Sequence, residues 1–169
     1  MADLDWIFEH LPRDAHLPDR TSAREQGCGF RFTGSPGTFH LFHTDGPAAR
    51  RALGLTDAPC CDHALVWQRP AATAGHLTAI ELKGGDFTQA AAQVESLVLA
   101  VRRRLRDARA PRLRESAIVV YRGRLPSHHL TRHRQRLSRQ GIDLYSQTVQ
   151  RGQTADLRPL LARIEPESR

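Results

Sequence analysis

Lysine is almost missing from this chain: of its 25 basic residues only Lys83 is not arginine. Other absences narrow the reading further. Three cysteines, an odd number in 169 residues, do not make a disulfide framework. Six phenylalanines, two tyrosines and two tryptophans are too few to suggest a stacking platform for single-stranded nucleic acid. No run approaches the roughly 18 apolar residues of a membrane span. The opening MADLDWIFEHLPRDAH is acidic where a signal peptide would be basic and then apolar, so the expectation is a cytoplasmic protein without a membrane partner. Neither a G-x-x-x-x-G-K-[ST] loop nor a G-x-G-x-x-G turn occurs, which disfavours a small nucleotide-binding α/β protein. Without repeats, low-complexity blocks or a linker rich in Gly, Ser or Pro, residues 1–169 read as one domain.

What is present is positive charge, and it is concentrated. The net charge is +7, and between Arg102 and Arg139 thirteen arginines face only Asp107 and Glu115. Such a patch suits phosphate backbones, through counterion release and the fit of guanidinium forks to phosphate oxygens. Arg102, Arg103, Arg104, Arg122, Arg124, Arg132, Arg134 and Arg136 are therefore candidate nucleic-acid contacts. The plainer alternative is a solvated, arginine-rich surface.

Periodicity predicts the elements in order. A short helix spans about Leu4 to Leu11, ended by Pro12. CGFRFTG and GTFHLFHT alternate apolar and polar residues around GSPG, which reads as a hairpin. DGPAARRALGLTDAPC reads as a turn and a short helix. CDHALVWQ and HLTAIELK are strands joined by RPAATAG. Asp86 is placed to cap a long helix reaching about Asp107, with Phe87, Ala90, Ala91, Val94, Leu97, Val98, Val101 and Leu105 at helical spacing. ESAIVVYRG is a buried strand, Ser127 to Gln140 a basic helix ended by Gly141, IDLYSQTV a strand, and ADLRPLLARI a last short helix. Hairpins followed by crossovers give an α/β fold, a mixed β-sheet flanked by helices.

The chemistry-bearing residues collect in one hairpin. With its loop centred near Ala72, paired positions sum to about 144, so Asp62 meets Glu81 or Leu82 at one end of the sheet. Strand alternation puts Glu81 and Lys83 on one face, and Ile80 and Leu82 on the other. Two carboxylates held together repel unless a cation sits between them, and hard oxygen ligands suit Mg²⁺ or Mn²⁺. Lysine, a compact ammonium whose pKa can be shifted, can orient or deprotonate a water beside such a site, whereas guanidinium cannot serve as a base. The bland alternative makes Asp62 a turn cap and Glu81 with Lys83 a solvated pair. Cys28, Cys60, Cys61 and His63 lack zinc-ligand spacing and read as packed or free thiols beside a histidine. His128, His129 and His133 receive no role.

Asp62, then Glu81-Leu82-Lys83 nineteen positions on, then a long helix bearing Gln89 and Gln93, resembles the active-site pattern of the PD-(D/E)XK nuclease superfamily. The resemblance implies a restriction-endonuclease-like αβββαβ core over about residues 4–121, with a C-terminal αβα extension over about 122–164. It implies that Asp62, Glu81 and the Leu82 carbonyl bind Mg²⁺ or Mn²⁺, that Lys83 assists the water, and that Gln93 supports them. Cys61, not proline, precedes Asp62, and Glu9 and Glu25 are alternative candidates for a further carboxylate. A metal-dependent nuclease acting on nucleic acid, DNA by preference, is then expected, either as a homodimer or with a protein partner supplying specificity. The alternative is a catalytically silent nuclease-like subunit that binds nucleic acid or a protein.

Overall fold

The computed structural model describes residues 4–25, 27–33, 37–70, 72–125 and 127–165. Two sheets and four α-helices follow a pair of 3-10 turns, Asp5–Glu9 and Arg13–Ala15. The strands are β1 Ser22–Glu25, β2 Cys28–Arg31, β3 Thr38–His43, β4 His63–Gln68, β5 His76–Lys83, β6 Arg114–Arg122, β7 Asp143–Val149 and β8 Thr154–Asp156. The helices are α1 Pro47–Ala52, α2 Phe87–Asp107, α3 Ser127–Ser138 and α4 Arg158–Ile164. The main sheet runs β3-β4-β5-β6-β7, antiparallel through β5 and parallel from β5 onward. A second sheet, β1-β2-β8, is antiparallel between β1 and β2 and parallel between β2 and β8.

Strand alternation divides the core into two layers. Ala64, Val66, Leu77, Ala79, Ala117 and Val119 face α1, α2, α3 and the first 3-10 turn, meeting Ile7, Val94, Leu97, Val98 and Val101. Leu41, Leu65, Trp67, Ile80, Leu82, Ile118 and Val120 face the small sheet and α4, meeting Phe30, Phe32, Leu157, Leu160 and Leu161. Helices on one face and a strand-rich cover on the other explain why β4 is buried along its whole length. Helix α2 has the predicted bounds: the Asp86 carboxylate accepts from the Gln89 N–H at 3.0 Å, and its apolar stripe is buried. Among the described residues no helix is long and apolar enough to cross a membrane.

Three expectations need correction. The segment Leu4 to Leu11 forms a 3-10 turn rather than an α-helix, though Ile7 and Leu11 are buried as expected. The predicted hairpin around GSPG does not form, and residues 34–36 of that turn lie outside the described residues. β2 lies in the small sheet, because Cys28, Phe30 and Phe32 are wholly buried and need a facing layer rather than an edge position beside β3. The strands β1 and β8 are unpredicted; four and three residues long, they carry no alternation long enough to read.

Candidate active site

The β4–β5 hairpin sets the site. His63 pairs with Ile80 and Trp67 with His76, one residue from the predicted register, so Asp62 faces Glu81 directly. The ladder stops at His63, and side chains take over from backbone just beyond it. The Glu81 carboxylate accepts from the Asp62 N–H at 3.1 Å, and the Asp62 carboxylate accepts from the Leu82 N–H at 2.7 Å. A residue in an extended strand directs its N–H and C=O to the same side, so the Leu82 carbonyl projects from the same edge of β5 as the N–H that meets Asp62. On the other side the Asp62 carbonyl accepts from the Thr44 N–H at 2.8 Å, and the Thr44 hydroxyl donates to the Cys61 carbonyl at 2.7 Å. The approach to Asp62 is thereby fixed from β3 as well as β5.

Both carboxyls are buried, Asp62 4% and Glu81 1% exposed. Desolvation is the main cause that pushes Glu81 up to about 8, with repulsion from Asp62 adding to it and Lys83 opposing it. Desolvation likewise pushes Asp62 up to about 7, opposed by the Leu82 N–H and assisted by the charges of Glu25 and Asp45. Glu25 thus stands close enough to Asp62 for one carboxyl to act on the other.

Lys83, the cation that the sequence singled out, stands beside the pair. Its Nζ lies 3.9 Å from a Glu81 oxygen and donates to Gln93 Oε1 at 3.2 Å. Gln93, two turns into α2, in turn donates through Nε2 to the Cys60 carbonyl at 3.0 Å, tying the lysine to the strand entering Asp62. Gln89 lies on an exposed part of α2. Arg122 ends β6 beside this group. A Cβ placed on Gly84 would lie 2.8 Å from an Arg122 nitrogen, so the glycine lets the guanidinium lie against the backbone after Lys83. The same guanidinium approaches Gly27 in the β1–β2 turn, which brings the small sheet to the site.

The sequence left Glu9 and Glu25 as alternatives, and the structure brings Glu25 in. Glu25 accepts from the His43 ring at 3.3 Å as well as meeting Asp62, whereas Glu9 lines a separate groove with His10, Arg51 and Arg103. Asp45 was missed, because Asp-Gly reads simply as a turn. It raises both Asp62 and Glu81 and is itself paired with Arg50 at 3.1 Å.

The other arginines divide. Arg102 forks Glu115 and reaches the Gln140 carbonyl, Arg134 donates to the Leu144 carbonyl at 2.9 Å, Arg136 pairs with Glu95, and Arg104 donates to the Ala52 carbonyl at 3.0 Å. Their charge is partly committed to the fold. Arg103, Arg124 and Arg132 are exposed. The cysteines are free and buried, and burial raises the thiols, Cys60 to about 11. Burial holds His63 down to about 3, a neutral ring edge-on to Phe30. His128 and His129 are exposed on α3, and His133 is buried against Phe87.

Among the described residues no three His, Cys, Asp or Glu side chains stand together in a metal-holding arrangement. The donor set consists instead of two carboxylates and a carbonyl, all hard oxygens. That set fits an ion which keeps several waters of its own, as Mg²⁺ does. No family profile, curated protein or solved structure matches the chain.

Proposed function

We propose that this chain is a divalent-metal-dependent nuclease that hydrolyses phosphodiester bonds of nucleic acid, DNA by preference, on a restriction-endonuclease-like core. The observation that carries the reading is the juxtaposition of two buried carboxyls, Asp62 and Glu81, with Lys83 at the point where β4 and β5 part. The β3-β4-β5-α2-β6 order in a mixed sheet supports it.

Asp62, Glu81 and the Leu82 carbonyl would hold Mg²⁺ or Mn²⁺, which supplies charge neutralisation and a more acidic water when bound. Lys83 orients the attacking water and offsets the charge that grows on the phosphate oxygens. Gln93 keeps the ammonium at one place by accepting its hydrogen bond. Water oxygen bonds to phosphorus as the bridging P–O bond breaks; the water loses a proton and the leaving oxygen gains one. Arg122, Arg124 and Arg132 lie toward the end of the sheet and on α3, where the strand backbone would be held by its phosphates. The sequence-independent part of that grip weakens with salt.

The test is cleavage of linear, circular and branched DNA and of RNA with Mg²⁺, Mn²⁺ or chelator, beside Lys83→Ala. The expected result is metal-dependent cutting that falls at least a hundredfold in the variant. Salt-sensitive binding with no cutting by either protein would replace the enzyme by a silent nucleic-acid-binding subunit.

A further inference from the structure

The opposite end of the sheet carries a second feature. A cavity of about 500 Å³ opens where α2 ends and β6 begins, lined by Arg102, Arg106, Arg109 and Arg112 with Leu105 and Leu113. Ala110 and Glu115 complete it, so four guanidinium groups face one carboxylate. Its size is that of ordinary small-ligand sites, about 300–1,000 Å³. It is remote from Lys83: His76 pairs with Arg114, and the seven residue steps of β5 from His76 to Lys83 span roughly 23 Å.

Three details argue for an anionic occupant. Glu115 already binds Arg102 through Nε and one terminal nitrogen, which fixes that guanidinium and leaves Nη1 without an acceptor among the described residues. The guanidinium groups of Arg109 and Arg112 have no acceptor among the described residues either, while Arg106 pairs only with exposed Asp107. Third, Arg109 occupies a backbone position that favours glycine. Its φ is +54°, and the turn is a Schellman closure: Ala110 N–H donates to the Leu105 carbonyl at 2.9 Å, and Arg109 N–H to the Arg106 carbonyl at 3.0 Å. A residue with a Cβ is disfavoured there, yet the position carries an arginine that lines the cavity.

The apolar residues in its lining separate this cavity from a plain phosphate patch. Arginines sharing one lining with Leu105 and Leu113 match a ligand with both a phosphate and a flat, weakly polar ring. We infer that the cavity binds a nucleoside phosphate, free or as part of a nucleic-acid strand, using arginine side chains in place of a glycine-rich loop. The site stands independently of the nuclease reading.

The experiment measures equilibrium binding to the full chain of three probes: inorganic phosphate, a nucleoside triphosphate and a short 5′-phosphorylated oligonucleotide. Wild type is compared with Arg109→Gly, Arg112→Ala and Lys83→Ala, each checked by thermal unfolding. The expected result is saturable binding of a nucleotide probe, at least tenfold tighter than phosphate. It weakens tenfold or more in Arg109→Gly and Arg112→Ala and is unchanged in Lys83→Ala. Arg109→Gly keeps or raises the unfolding temperature, because glycine suits the left-handed position. Binding of the triphosphate identifies a free ligand, and binding of the oligonucleotide alone identifies a strand; both support the site. No saturable binding of any probe, affinity equal to that of phosphate, or affinity unchanged in both arginine variants overturns it. Loss of cutting in Lys83→Ala with nucleotide binding retained keeps the two proposals apart.

Discussion

Replacing Glu81 with glutamine should stabilise the chain while abolishing the proposed cleavage, and the size of the gain is set by burial. In chelator at pH 9 the Glu81 carboxyl is ionised in both states, but folding has raised it from 4.5 to about 8. At about 1.4 kcal/mol per pKa unit, that shift costs the folded state roughly 5 kcal/mol. Part of the cost is repulsion from Asp62, and a buried amide carries a desolvation cost of its own, so about 2–3 kcal/mol is the net expected gain. The amide oxygen can still accept from the Asp62 N–H, so that hydrogen bond is kept. At about 2–4 °C per kcal/mol for a chain of this size, the midpoint rises by roughly 5–10 °C. The sign follows the raised pKa: the wild-type contribution is fully present below about pH 4.5 and is lost as pH rises through about 8. Glutamine should therefore matter little at pH 5 and most at pH 9. Thermal unfolding from pH 5 to 9 measures this, and adding Mn²⁺ should raise only the wild type. A variant destabilised equally at pH 5 and pH 9 would refute the reasoning, because a buried charge would then not be the quantity removed.

Two further substitutions separate support from chemistry. Gln93→Ala removes the acceptor of Lys83 and the donor to the Cys60 carbonyl, so cleavage should fall about tenfold with a stability loss of about 1–2 kcal/mol, read by kinetics and denaturant unfolding. Gly84→Ala meets only the flexible end of Arg122 and needs no unusual φ, so stability should change by less than about 1 kcal/mol. Displacing that guanidinium should weaken nucleic-acid binding and lower the salt slope by about one, measured by titration at several salt concentrations.

What could be read from the sequence was local. The β4–β5 register came out one residue off, and the bounds of α2 with its Asp86 cap matched, because turn residues, alternation and a 3.6-residue period lie within short windows. Asp62, Glu81, Lys83 and Gln93 meet for that reason: all four belong to one hairpin and the helix after it. What depended on distant chain was not visible. β2 needed the buried face of the main sheet, and Thr154 had to arrive beside Gly29 before β8 existed as a strand. Charge counting also could not tell an arginine bound to its own fold, such as Arg136 on Glu95, from a solvated one such as Arg132.

The small sheet ties the two ends of the chain together. The β4–β5 hairpin closes a short local loop, whereas pairing Gly29 with Thr154 closes almost all of the intervening chain, at a greater cost in loop entropy. Glu25 belongs to the β1–β2 hairpin that this long-range pairing holds in place. The meeting of Asp62, Glu81 and Lys83 therefore rests on short-range chain closure, whereas the placement of Glu25 rests on long-range pairing.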